Sequence, residues 1–232
     1  MGRQRIILLF LCSVCVLGTF AQRVKHLSGK HYNHMVDSFA TLPPITSSDI
    51  VMLGDSHTEF GNWKELFPQY SNIQDRGIIG DDAGGIINRL SQVCSHCPKA
   101  IFFECGANDL SHGLSARKVA ADVLRVIDKI RQACPRTKLY VQGVFPINED
   151  FGRWKALKGK TDVIPEINTL LKRGCKARGV EYIDLFSLFK EPHTNKMRKE
   201  ICKDGLHLLP SGYQIWAEAI TPYIEKLNQC KK

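Results

Sequence analysis

The sequence has no internal repeat of solenoid length and no stretch of biased composition. Repeat architectures and long disordered regions are therefore excluded. Its 232 residues are enough for one domain with a real core. A content of 44% hydrophobic and 24% charged residues is ordinary for a soluble globular chain.

The N-terminal apolar run is too short to span a bilayer comfortably. Met1–Arg5 carries two arginines, Ile6–Gly18 is almost wholly apolar, and Ala21 is a small residue suited to cleavage. This pattern predicts a secretory signal over residues 1–21, hence a secreted or periplasmic protein without stable membrane insertion. An uncleaved membrane anchor is the alternative. Neither Cys12 nor Cys15 follows the small residues that a lipoprotein signal needs, so no lipid anchor is predicted.

Aromatic residues are not interleaved with the basic ones, as a nucleic-acid platform would require. The net charge is +9 and falls by two to +7 when Arg3 and Arg5 leave with the signal. The remaining basic residues are dispersed and predict a solvated surface rather than a nucleic-acid partner. The oligomeric state is left open.

A second Cys-x-x-Cys pair is absent after the predicted signal, which argues against a zinc site in the mature chain. Seven of the nine cysteines follow the signal, so at least one is free or pairs between chains. Cys94 and Cys97 have redox-type spacing but precede a strand, unlike a thioredoxin motif. Structural cysteines or one disulfide are expected, with no metal and no cofactor.

Short apolar segments alternate with helical patterns from residue 49 onwards, which predicts an α/β fold with a parallel sheet between helices. Residues 22–48 read as a polar lead-in and residues 49–232 as a single domain. Strands are predicted at Ile50–Leu53, Ser71–Asp75, Ala100–Phe103, Leu139–Val144 and Val180–Leu185, and helices at Ala83–Val93, Ser115–Cys134, Ile164–Arg178 and Tyr213–Leu227.

Polar residues follow the strands, where sites form in such folds. Ser56 comes just after the first strand, and a serine there is either a helix N-cap or a nucleophile. Asp204 and His207 are three residues apart, so the carboxylate can reach and orient the imidazole as a general base. The Ser56 N–H, the Gly80 N–H and the Asn108 amide lie on three neighbouring loops and are suitable oxyanion donors.

Four motifs carry these residues: "GDS" at 54–56, "RGIIGD" at 76–81, "GAND" at 106–109 and "DGLH" at 204–207. They resemble, in order and spacing, the four blocks of the SGNH hydrolases, also called GDSL-type esterases. The resemblance covers residues 50–212 and implies a flavodoxin-like three-layer sandwich that hydrolyses esters without metal. It implies Ser56 as nucleophile, His207 as base and Asp204 as its orienting acid. Gly80 and Asn108, with Ser56, would form the oxyanion hole.

Two of the motif regions depart from that pattern. His57 stands where the family name has leucine, and Asp75 and Asp82 stand where many members have asparagine and threonine. We expect His57 to point away from Ser56 with a modest role at most, and Asp55 to be structural. Asp82 could disfavour anionic substrates. Together with Asp82, Phe145 and Trp154 are predicted to contact substrate, because they follow the fourth strand or lie close beyond it.

Aromatic and polar residues together suit a sugar ring that bears an acyl group. The resemblance to small, secreted members of the family implies a small acyl ester as substrate, above all an O-acetyl group on a carbohydrate such as sialic acid or a polysaccharide. Lipid esterases are the alternative: a lysophospholipase, a thioesterase, or an enzyme similar to platelet-activating-factor acetylhydrolase. A metal-dependent phosphoesterase would need a glycine–asparagine–histidine loop, which is missing. A non-catalytic glycan- or cofactor-binding module would have no use for the Asp204–His207 pair.

Overall fold

The computed structural model describes residues 29–229. The predicted signal peptide, residues 1–21, lies outside the described residues, as does Cys230. Within the described range no helix combines the length and apolar character needed to cross a membrane.

A single parallel sheet forms the centre of the protein. Its order is β2-β1-β3-β4-β5, and every neighbouring pair is parallel. The predicted α/β class with a five-stranded parallel sheet is thus confirmed. The strands are β1 (Ile50–Gly54), β2 (Ile73–Gly77), β3 (Ala100–Phe103), β4 (Lys138–Gln142) and β5 (Glu181–Ile183).

Helices cover both faces of this sheet. In chain order they are α1 (Lys30–Thr41), α2 (Ser56–Glu59), α3 (Trp63–Leu66), α4 (Ala83–Cys94), α5 (Ala107–Ser111), α6 (Ala116–Ala133), α7 (Ile164–Arg178), α8 (Leu185–Phe189) and α9 (Pro210–Gln229). Helix α1 lies in the segment predicted only as a polar lead-in. It contacts α4 through the Tyr32 hydroxyl, which donates to the Gly85 carbonyl at 2.8 Å.

Side chains alternate between the two faces of the sheet along each strand, and each face has its own hydrophobic core. Val51 and Leu53 of β1 pack on the face covered by α4, α6 and α7. Ile50 and Met52 of the same strand pack on the opposite face, against Trp216 and other apolar residues of α9. Because successive strand residues point to opposite faces, one apolar strand serves both cores. The result is a three-layer sandwich.

The chain reverses direction across the sheet after β2, which makes β1 and β3 the strands at the switch point. Strand β1 is flanked by β2 on one side and β3 on the other, so the loops that follow β1 and β3 diverge at this point. In open parallel sheets such a switch point forms a crevice at the carboxyl ends of the strands. The loops carrying Ser56 and Asn108 both leave the sheet there.

One disulfide is present among the described cysteines. It joins Cys97, in the loop before β3, to Cys134, at the end of α6, with Cα atoms 5.1 Å apart. Cys94, the other member of the Cys-x-x-Cys pair, is free. The pair is therefore not a disulfide within its own motif.

Candidate active site

Ser56 is placed by a tight strand-to-helix turn. The residue that caps α2 is Asp55, whose Oδ1 accepts from the His57 N–H at 3.0 Å. Gly54 is required here, because a Cβ would collide with the Thr58 side chain and the Glu104 carbonyl. Since Asp55 does the capping, the Ser56 hydroxyl is left for another partner.

That partner is His207. Ser56 Oγ lies 3.0 Å from His207 Nε2, and His207 Nδ1 lies 2.9 Å from Asp204 Oδ2. Asp204 can only accept when ionised, so His207 Nδ1–H donates to it, and Nε2 is left to accept from the serine hydroxyl. The three side chains predicted from distant motifs thus form one hydrogen-bonded chain.

Electrostatics favour this arrangement of charges. Burial works to raise the pKa of Asp204, but hydrogen bonds from His207 and from the Leu206 amide bring it down to about 2. Burial lowers the pKa of His207 below its ordinary value, against the pull of Asp204. At neutral pH the carboxylate is therefore ionised and the imidazole is neutral, which is the state in which it can take a proton.

The loop that carries this pair depends on one glycine. Gly205 has φ +95°, and a Cβ on it would meet the Asn148 carbonyl at 2.6 Å. Its own carbonyl accepts from the Asn148 N–H at 2.8 Å. Because of this close approach, the loop is fixed to the segment that follows β4.

The predicted oxyanion donors Gly80 and Asn108 stand on two loops that are hydrogen-bonded to the segment carrying Ser56. Gly80 has φ +78° and an open position in front of it. Asn108 stands in the first turn of α5, and its Nδ2 donates to the Asp81 carbonyl at 2.9 Å and to Asp55 Oδ2 at 3.2 Å. Donation to a substrate oxygen would need one of these hydrogens, and the longer bond to Asp55 is the easier one to exchange.

Asp82 has a capping role in the structure, and Phe145 is buried in the core. Asp82 Oδ1 caps α4 by accepting from the Gly85 N–H at 2.9 Å. Its Oδ2 also faces His112 Nδ1 at 3.5 Å. Phe145 is only 1% exposed and packs against Phe189. The prediction that Phe145 contacts substrate is corrected by its burial, whereas the prediction for the partly exposed Asp82 stays a prediction.

Two exposed aromatic rings border His207. Trp154, predicted as a contact residue, is 39% exposed, and Phe60 is 47% exposed. Each ring centroid lies 5.2 Å from that of His207, edge-on. The sequence reasoning missed Phe60, and its position one turn after Ser56 is the signal that could have found it. Beside Trp154 is a cavity of about 480 Å³ whose lining includes Asn148, Glu149, Arg153, Lys155 and Gly205.

Arg89 is a second residue that the sequence reasoning missed. It is buried, and its Nε donates to Asp81 Oδ2 at 2.7 Å. Its two terminal nitrogens donate to the Arg76 and Gly54 carbonyls at 2.9 and 3.1 Å. Arg89 thus holds together the carboxyl ends of β2, at Arg76, and of β1, at Gly54, two residues before Ser56.

His57 is fully enclosed beneath the site. Its Nδ1 faces Asp55 Oδ1 at 3.3 Å and Glu104 Oε2 at 3.6 Å. These three residues are the group among the described residues whose donor atoms could hold a metal ion. The group has no opening to solvent, and the second ring nitrogen is already bonded to the Leu206 carbonyl at 3.0 Å. We therefore interpret it as an ion-pair cluster.

Solved structures with the same fold come from several bacteria. A Streptococcus pneumonia protein described as a platelet activating factor has a TM-score of 0.74 and 21% identity, covering 89% of this chain and 99% of that one. A GDSL-like lipase from Bacteroides thetaiotaomicron has a TM-score of 0.72 and 19% identity, covering 87% and 98%. A variant of an acetyl-xylooligosaccharide esterase from Geobacillus Stearmophilus has a TM-score of 0.61 and 14% identity, covering 80% and 96%.

No curated protein matches this sequence. The model of the GDSL-like lipase/acylhydrolase family, in contrast, matches residues 52–215, a range that contains Ser56, Gly80, Asn108, Asp204 and His207. This range is well over half of the chain. The sequence resemblance is therefore confirmed at the level of the family, and the protein is an ester hydrolase that belongs to the GDSL-like lipase/acylhydrolase family.

Proposed function

We propose that the protein is a serine esterase that releases small acyl groups, above all acetyl, from carbohydrates. The observation that carries the catalytic part is the hydrogen-bonded chain from Ser56 through His207 to Asp204. It lies at the carboxyl ends of the strands, where a substrate can reach it.

The proposed reaction has two steps. His207 Nε2 takes the proton of the Ser56 hydroxyl as Oγ attacks the ester carbonyl carbon, and Asp204 stabilises the imidazolium. The tetrahedral intermediate collapses, the alcohol leaves with the proton from His207, and an acyl-serine remains. Water, deprotonated by His207, then releases the acid and restores Ser56.

The oxyanion formed in each step needs fixed donors. We assign this task to the Ser56 and Gly80 N–H groups and to Asn108 Nδ2. The loop that carries Gly80 is attached to the α2 region, because the Ile79 N–H donates to Glu59 Oε2. Asn108 is attached to the same loop through the Asp81 carbonyl. These bonds favour a preorganised site.

The substrate proposal rests on the surroundings of His207. Phe60 and Trp154 offer two exposed rings, and the cavity beside Trp154 mixes aromatic, amide and charged groups. Such a surface suits a sugar ring, which presents both C–H and hydroxyl groups. One protein with this fold is an acetyl-xylooligosaccharide esterase, so the fold accommodates that chemistry. Export through a signal at residues 1–21 is part of the same proposal.

The test is acetate release from a panel of O-acetylated sugars, beside p-nitrophenyl acetate and p-nitrophenyl octanoate. Mature protein and Ser56→Ala are compared, with and without chelator. Serine-dependent release of acetate, faster than release of octanoate, supports the proposal. A preference for octanoate would favour a lipid esterase, and the absence of hydrolysis by folded protein would favour a binding module.

A further inference from the structure

His57 connects the two loops that carry the proposed nucleophile and base. Its Nε2–H donates to the Leu206 carbonyl at 3.0 Å, one residue before His207. Its backbone carbonyl accepts from the Tyr213 hydroxyl at 2.8 Å, which joins it to α9. A residue adjacent to Ser56 is thus bonded to the chain adjacent to His207.

Two carboxylates favour a charged His57 ring, and Asp55 contributes more than the second one, Glu104. Glu104 follows β3, it is fully buried, and neither carboxylate oxygen has a hydrogen-bond partner in the described part of the chain. A buried carboxylate without compensation is costly, and the closest cationic candidate is His57 Nδ1 at 3.6 Å. His57 Nδ1 has no hydrogen-bond partner among the described residues either, so its contact with Glu104 is an ion pair.

The titratable groups around His57 are Asp55, Glu104, His207, Cys202 and Tyr213, whose hydroxyl donates to the His57 carbonyl. Burial alone would lower the pKa of His57, but Asp55 and Glu104 raise it well above its ordinary value. Burial and Asp55 raise the pKa of Glu104 to about 7. The His57 and His207 rings lie 5.7 Å apart between centroids, close enough for a charge on one to act on the other.

We propose that His57, held by Asp55 and Glu104, is a positioning residue that sets the separation of Ser56 and His207. The inference rests on the proposed esterase function of that pair. Asp55 connects this cluster of His57, Asp55 and Glu104 to a third loop, because its second oxygen accepts from Asn108 Nδ2 at 3.2 Å. One buried cluster therefore touches the loops of the nucleophile, the base and the oxyanion donor.

The bond to the Leu206 carbonyl and the charge of the ring have separable effects. The bond fixes the base loop, so its loss misplaces His207, and a displacement of about 1 Å can cost about 100-fold in rate. The charge disfavours protonation of His207, and it contributes to the lowered pKa of that residue. Its loss therefore moves the acid limb of the pH profile upward.

The experiment compares His57→Leu with His57→Gln, using p-nitrophenyl acetate. Leucine removes both the bond and the charge, and we expect kcat to fall about 10- to 100-fold with KM within a few-fold of wild type. Glutamine keeps an N–H donor for the Leu206 carbonyl, so it should recover part of kcat. Both variants should move the acid limb of kcat/KM to higher pH, whereas His96→Leu, at an exposed histidine, should change neither quantity.

A second variant distinguishes a loss of kcat caused by unfolding from one caused by misplacement of His207. His57→Leu/Glu104→Gln removes the buried charge together with its counter-charge, and we expect it to recover melting temperature without recovering kcat. Wild-type kcat and an unmoved acid limb in folded His57→Leu would overturn the inference. So would a stoichiometric metal ion that elemental analysis finds in wild type and not in His57→Leu.

Failure of the proposed function has a different signature. A wild-type protein that neither hydrolyses esters nor reacts with a fluorophosphonate at Ser56 contradicts the esterase itself. A wild-type protein that does both, beside a His57→Leu variant that does both equally well, contradicts only the positioning role.

Discussion

Ser56 has two polar neighbours, and the structure gives them different tasks. Asp55 caps the helix that Ser56 opens, and His57 turns inward to the buried Glu104. Of these three side chains, Ser56, the proposed nucleophile, is the one that is hydrogen-bonded to the His207 ring. This division of tasks explains why three polar residues can follow a buried strand without competing for the same partner.

Replacing the proposed nucleophile should abolish turnover without affecting the fold. We expect Ser56→Ala to lower kcat by roughly three orders of magnitude or more, because no other group at the site can form the acyl intermediate. Ser95→Ala, at an exposed serine, is the matched control. Turnover is measured with p-nitrophenyl acetate and folding by circular dichroism. Wild-type-like hydrolysis by Ser56→Ala would reject the assignment.

Substitutions of His207 and Asp204 should lower the rate of hydrolysis by different amounts. We expect His207→Ala to cost about as much as Ser56→Ala, since the base is lost. Asp204→Asn should be milder, because the imidazole remains and loses only its orienting carboxylate. Single-turnover rates of acylation measure this order. An Asp204→Asn variant slower than His207→Ala would contradict it.

The acid limb of the wild-type pH profile follows from the state of His207. The imidazole must be neutral to take the serine proton, so kcat/KM falls as pH drops through its pKa. Burial lowers that pKa from its ordinary value of 6.5, so half-maximal activity is expected below pH 6.5. The profile is measured with an uncharged ester at constant ionic strength. A midpoint above pH 7 would show that the net charge near the base differs from that described.

Much of this site was predictable from single residues, and some was not. The hydrogen-bonded arrangement of Ser56, Asp204 and His207 was predictable because motifs that follow strands constrain both residue type and place. Phe145 was misjudged because an aromatic residue beyond a strand fits a pocket wall and a core equally well until its neighbours are known. The partner of His57 is 47 positions away at Glu104, and only tertiary packing brings the two together.

At the scale of elements, the disulfide holds the end of α6 to the loop before β3. It closes a span of 37 residues, and its removal should cost about 3–4 kcal/mol by loop-closure entropy. Cys97→Ser/Cys134→Ser should show this loss in urea unfolding while kcat stays unchanged, because the bond lies at the opposite end of β3 from Ser56. Equal midpoints for the variant and the oxidised wild type would contradict the prediction.

The strands and long helices follow from sequence pattern, and the deviations have local causes. Strand β5 ends earlier than predicted because the Asp184 side chain accepts from the Ser187 N–H at 3.1 Å and starts α8. Helix α1 was missed because none of its residues is fully buried, so its apolar positions are few and scattered. Contacts with α4, such as the Gln92 side chain donating to the Val36 carbonyl at 2.9 Å, hold it in place.

At the scale of the whole molecule, the carboxyl ends of the strands collect buried charge. Arg89, Asp81, Asp55, Glu104 and Asp109 are all buried near the point where the sheet order reverses. Burying so many charges costs stability, which is typical of regions selected for chemistry rather than for packing. The opposite end of the sheet is held instead by the disulfide and apolar contacts.

This concentration of buried acids should make stability depend on pH in an unusual direction. Burial raises the pKa of Asp75, Asp81 and Asp109 to about 7, against about 3.9 in an unfolded chain. A raised carboxyl pKa contributes stability that is complete below about pH 4 and is lost as pH rises towards about 7. His207, whose pKa is lowered, acts in the opposite sense but is a single group. The low pKa of Asp204 matters only below about pH 4.

We therefore expect the melting temperature to fall as pH is raised from 5 to 7.5, measured by calorimetry at constant ionic strength. Asp109→Asn should make this slope shallower, because one raised carboxyl no longer titrates. Asp128→Asn is the matched control: its pKa is lowered by Arg178, so it titrates outside this range. A melting temperature that rises from pH 5 to 7.5, or an unchanged slope in Asp109→Asn, would mean that these buried acids are ionised in the folded protein, with Arg89 compensating Asp81 through their 2.7 Å ion pair.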